Sequence, residues 1–212
     1  MSGGTRGAIG DKDVRTGRVA HVARWISRVG HPFTMLIAFA LAGSLQAMEW
    51  SRAVALTVWV AVCGVAPLVV FLMHQVKQGR SNFDISTREL RGPAYLLGLA
   101  LGGLLIVTSW PLGAPPVVLA SMACALAMVT LAAVINLKLK VSLHTAFAVW
   151  VTLGFSAIDL RATAGLAMLT AAVAWSRLYL RRHTAAEVFA GLVLGAAMAG
   201  VLLLIFVRLG SP

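Results

Sequence analysis

The chain has 212 residues, one domain by length, and 59% of them are hydrophobic while only 12% are charged. With a mean hydropathy of +0.88, this composition excludes an ordinary soluble domain and points to a polytopic membrane protein. A net charge of +11 invites nucleic acid as a partner, but the basic residues are scattered between apolar stretches, so membrane lipids and anionic headgroups fit better and no nucleic acid is expected.

In chain order, residues 1–12 are Gly-rich and polar and predict disorder. From Val14 to Val29, the residues Val19, Val22, Ile26 and Val29 recur at helical spacing among Arg15, Arg18, Arg24 and Arg28, with Trp25 as an interface anchor. That pattern predicts an amphipathic helix on an anionic leaflet, or else a basic juxtamembrane flank. Residues 1–30 thus form a polar and basic N-terminal segment with no secretory signal pattern, and 31–212 form a single transmembrane domain.

Seven apolar stretches follow, at about 32–48, 53–75, 93–110, 117–137, 142–157, 162–179 and 184–207, and several are near the lower length limit for a crossing. The expected fold is therefore an all-α polytopic bundle of six to seven spans, because only helices satisfy their own backbone in hydrocarbon at these lengths. Pro67 predicts a kink in the second span. Cys63 and Cys124 lie inside spans and read as small core residues. Gly191, Gly195, Ala196, Ala199 and Gly200 give the last span a small-residue face that suits close packing within the bundle or in a homo-oligomer.

Crossing parity places the N-terminus, the 76–92 loop, the 138–141 turn and the 177–183 turn on one side of the membrane. Nearly all Lys and Arg collect there, and the other side keeps Arg52, Arg161 and Arg208. The positive-inside rule assigns the basic side to the cytoplasm. The expected setting is a bacterial inner or plasma membrane, with the N-terminus and the site facing the cytoplasm.

Three polar clusters share that side: Arg88-Glu89-Leu90-Arg91-Gly92-Pro93, Lys140-Val141-Ser142-Leu143-His144, and Ser176-Arg177 followed by His183 and Glu187. His183 and Glu187, four residues apart, fall on one helix face, where a carboxylate can take one ring nitrogen and leave the other as a nucleophile. Arg177 can grip a phosphate through two parallel N–H bonds. His21, His31 and His74 lack such company and read as interfacial residues.

The third cluster resembles the signature of the type 2 phosphatidic acid phosphatase superfamily: Ser-Arg, five residues, His, three residues, then a carboxylate. The second is similar to that family's Pro-Ser-Gly-His and the first to its Lys, six residues, Arg-Pro. The resemblance covers Lys77 to Gly191. It implies a helical membrane core of that type and hydrolysis of a lipid phosphate, a phosphomonoester or diphosphate of a polyprenyl, isoprenoid or glycerolipid, without metal or cofactor. It also implies that His183 forms a phosphohistidine, Glu187 sets its tautomer and His144 protonates the leaving oxygen. Arg177 and Arg91 would neutralise the phosphoryl oxygens, while Ser142 and the Leu143 N–H would donate to them. Three departures stand out: Glu replaces the usual Asp at 187, Val141 and Leu143 replace Pro and Gly, and Asp84 occupies the expected lysine position. Arg88 is the nearest substitute for that lysine, with Lys77 or Lys140 as alternatives. The same residues would also serve a non-catalytic relative that binds or transports an anionic lipid, or a transferase passing the phosphoryl or lipid group to another alcohol.

Overall fold

The computed structural model describes residues 17–79 and 88–210, the side chains of Arg88 and Glu89 excepted. Among these, the chain is helical: α1 (Arg18–Val29), α2 (Pro32–Ala47), α3 (Trp50–Trp59), a π-helical turn (Val60–Val65), α4 (Ala66–Lys77), α5 (Arg88–Ser109), α6 (Pro116–Ile135), α7 (Leu143–Gly154) with a short 3-10 turn (Phe155–Ala157), α8 (Leu160–Tyr179) and α9 (Ala185–Leu209). Each of the seven expected apolar stretches is helical. The expected disorder of residues 1–12 lies outside the described residues, as does Asp84.

Among the described residues, four helices are long and apolar enough to cross a bilayer: Trp50–Lys77 (α3, the π-helical turn and α4), Leu90–Ser109, Pro116–Ile135 and Ala185–Leu209. The pair α1 and α2, bent by 45° at its break, makes a fifth if taken together. The 12 residues of α7 rise only about 18 Å against a hydrocarbon core of about 30 Å. A π-helical turn, Val60–Val65, stands just before Pro67, whose ring brings no N–H to the regular ladder. Large apolar side chains such as Leu104 and Val107 on α5 and Val193, Leu204 and Val207 on α9 point outward, as lipid-facing positions do.

The short helix α7 is the centre of the bundle. It buries a face all along its length, from His144 and Thr145 to Trp150 and Gly154, against α9, α8 and α2. The core around it joins Phe39, Met128, Phe147, Trp150, Met198 and Leu202, with Phe39 set edge-on to Trp150 at 4.8 Å between ring centres. Two glycines let α7 and α9 approach this closely. A Cβ on Gly195 would strike the Ala146 carbonyl, and one on Gly191 would strike the Thr145 hydroxyl and the Ser142 carbonyl. The start of α7, with the second polar cluster, is thereby pressed against the start of α9, which carries Glu187 of the third.

The helix α1 carries three stripes. Ala20, Ala23 and Ser27 are buried, and α1 packs on α8. Val19, Val22, Trp25 and Val29 form an exposed apolar stripe, and His21 and Arg28 an exposed basic one. The small side chains on the inner stripe keep α1 close to α8, while the other two stripes suit acyl chains and headgroups respectively.

Candidate functional site

The turn between α8 and α9 is shaped by its own hydrogen bonds. Arg182 N–H donates to the Arg177 carbonyl at 3.0 Å and Arg181 N–H to the Leu178 carbonyl at 3.0 Å, the two bonds of a Schellman motif. Such a stop needs a left-handed residue after the helix, and Arg181 takes it at φ 52°, where glycine is the usual choice. The chain then turns directly into α9. Thr184 caps that helix by accepting the Glu187 N–H at 3.3 Å, and the Glu187 carboxylate reaches back to the Thr184 N–H at 3.2 Å. Thr184-Ala185-Ala186-Glu187 is thus a capping box.

The same Glu187 oxygen meets His183 Nδ1 at 2.9 Å. A carboxylate only accepts, so in the neutral ring the proton sits on Nδ1 and the lone pair on Nε2. The glutamate, longer than the aspartate of the motif that it resembles, therefore serves two N–H groups at once: it closes the cap and sets the tautomer. The pair is largely enclosed, with the His183 side chain 7% exposed and that of Glu187 17%.

His183 lines a cavity of about 210 Å³ together with Arg91, Lys140, His144 and Arg177. These residues come from α5, the 136–142 turn, α7 and α8, so the three clusters expected on one side of the membrane do converge. Away from them the wall is apolar, formed by residues such as Leu68 and Leu72 of α4 and Leu101 and Leu105 of α5. A polar end and an apolar extension in one cavity match a ligand with a charged head and a hydrocarbon tail.

Not every expected donor faces this cavity. Leu143 lines it, but Ser142 does not. Ser142 N–H donates instead to the Glu187 carbonyl at 3.1 Å, and its hydroxyl is fully buried with no hydrogen-bond partner among the described residues. Thr145 adds a second tie, its hydroxyl reaching the Val188 carbonyl at 3.3 Å. Ser142 and Thr145 thus fasten the head of α7 to the head of α9 and hold His144 and His183 on one wall. Of the candidates for the missing lysine, Lys140 lines the cavity and donates to the Arg182 carbonyl at 2.9 Å, while Lys77 is exposed at the end of α4. The side chain of Arg88 lies outside the described residues.

Four further residues meet the site without a motif to announce them. Arg177, only 1% exposed, donates from Nη1 to Ser27 Oγ at 2.7 Å, so α1 supplies a neutral acceptor to the guanidinium. Asn136 donates to the Tyr95 hydroxyl at 2.7 Å and accepts the Val141 N–H at 3.2 Å, which ties the cavity's α5 wall to the turn before α7. His31, expected to be a bland interfacial residue, lines the cavity. No protein-family model, curated protein or solved structure matches the chain.

Proposed function

We propose that this protein is a membrane-embedded lipid-phosphate phosphatase working through a phosphohistidine. The observation that carries the reading is the His183–Glu187 pair at 2.9 Å, opening on a cavity with a cationic wall and an apolar extension. The motif resemblance from Lys77 to Gly191 supports the same chemistry. His183 Nε2 attacks phosphorus and the bond to the leaving oxygen breaks, with His144 giving that oxygen its proton. Arg177 and Arg91 hold the charge that spreads over the phosphoryl oxygens, the main contribution expected of a protein in phosphoryl transfer. Water then attacks the phosphorus, His144 takes a proton from it, and the P–N electron pair returns to His183 as orthophosphate leaves. The lipid tail lies along the Leu68–Leu105 side of the cavity. The charge asymmetry of the loops supports a cytoplasmic site, suited to lipid phosphates made on the inner leaflet.

The test is phosphate release by the purified protein in detergent across a panel of lipid monophosphates and diphosphates, with EDTA present, beside His183→Ala. Release from at least one lipid that survives EDTA and falls at least about a thousandfold in the variant is the expected result. A correctly folded wild type that binds these lipids but releases no phosphate from any of them fits the lipid-binding relative. Release only when a second alcohol is supplied fits the transferase.

A further inference from the structure

The cavity wall holds a third imidazole besides those of His144 and His183. His31 stands at the elbow between α1 and α2, and its Nδ1 accepts the Phe33 N–H at 3.3 Å, which caps α2. A ring that accepts at Nδ1 carries its proton on Nε2 when neutral. The N–H at the other end of the ring is then a donor held in fixed orientation, as Glu187 fixes the orientation of His183. The His31 ring lies edge-on to that of His144, 4.9 Å between centres and 83° between planes, and both rings line the same cavity.

Capping alone does not call for a histidine, because Asn, Asp, Ser and Thr cap helices better. What the imidazole adds is reach, since it satisfies the backbone with one nitrogen and extends a second polar atom beyond it. We propose that His31 contacts the substrate, its Nε2–H donating to a phosphoryl or leaving-group oxygen beside His144. This assignment rests on the phosphate reading of the cavity and deepens it: the leaving-group side of the phosphate is bounded by two imidazoles, one transferring a proton and one donating a fixed hydrogen bond.

The test uses the full-length protein in detergent with inorganic phosphate as the probe, read by the histidine ring nitrogens in NMR and by calorimetry. His31→Asn keeps a capping side chain and is expected to hold the thermal midpoint near that of wild type, while weakening phosphate binding about tenfold, a neutral hydrogen bond's worth. The His31 Nε2 resonance in the wild type, identified by its absence from the variant, should move on adding phosphate. Should the variant not fold, His31→Gln and the wild-type titration carry the test. Phosphate binding and lipid hydrolysis both unchanged in a folded His31→Asn, or a His31 resonance that stays put while phosphate binds, overturns the assignment and leaves the phosphatase reading standing. A wild type that binds no phosphate overturns the reading of the cavity and this assignment together.

Discussion

The two sides of the cavity are built in different ways. The α8–α9 side is made almost wholly of contacts between residues close in sequence. The Schellman turn, the capping box and the His183–Glu187 bond all lie between Arg177 and Glu187. The α1–α2 side has a local device too, the His31 cap of α2, but its contacts with the other helices of the site are long-range. Ser27 reaches Arg177 across 150 residues, and His31 meets a ring on α7. A locally built site keeps its geometry with the helix ends that form it, whereas a site built at long range depends on the packing of whole helices. If this contrast is correct, damage to the first side should appear in turnover and damage to the second mainly in substrate affinity.

After the loss expected of His183→Ala, the largest effect should come from Glu187→Gln. Glutamine keeps the length and one acceptor for the cap but loses the charge that supports a cationic His183, so turnover should fall roughly a hundredfold with an unchanged thermal midpoint. An unaltered rate would mean that another group orients the histidine, and the α8–α9 side would not be self-contained. A smaller effect is expected for Ser27→Ala, which removes the acceptor that holds Arg177. Substrate KM should rise about fivefold, about 1 kcal/mol, with kcat little changed. If KM stays where it was, α1 is only a cover for α8 and the long-range side is not part of the site. The smallest is Arg181→Gly. Glycine takes the left-handed φ at that position with less strain, so thermal stability should rise by about 1 kcal/mol with activity nearly intact. A fall in the midpoint would show that the Arg181 side chain contributes more than its backbone strain costs.

Parts of the site were legible because their geometry is fixed within one helical turn. The His183–Glu187 pair is legible from its four-residue spacing, although His183 stands one residue before the Thr184 cap, outside α9, and meets the carboxylate across the capping box instead of on a helix face. The basic loops share a side if the spans alternate. Thr184-Ala185-Ala186-Glu187 also spells a capping box, while the spacing to His183 by itself points only to the role of Glu187 toward the histidine. It accounts for the glutamate where the motif has aspartate. The left-handed Arg181 gave no signal, since the residue expected there is glycine. The resemblance to Pro-Ser-Gly-His puts Ser142 among the phosphate donors. Its N–H is committed instead to the Glu187 carbonyl, a partner 45 residues away that no local pattern contains.

The N-terminal side shows the other limit. His31 has no neighbour in sequence that marks it, and its proton arrangement follows from capping α2 and its place from the packing of α2 on α7. The stripe of Ala20, Ala23 and Ser27 reads as the small-residue back of an amphipathic helix, and only its packing on α8 turns Ser27 into an arginine partner. Sequence by itself determined the helical class, the apolar stretches, the bias of charge and the His183–Glu187 pair, because hydropathy, charge and i,i+4 spacing act over a few residues. Tertiary structure alone decided which of the expected donors line the cavity, that His31 lines it with them and that Ser27 accepts from Arg177. It also decided that α7 sits at the centre of the bundle, because each of these depends on helices far apart in the chain being brought within hydrogen-bond or van der Waals reach.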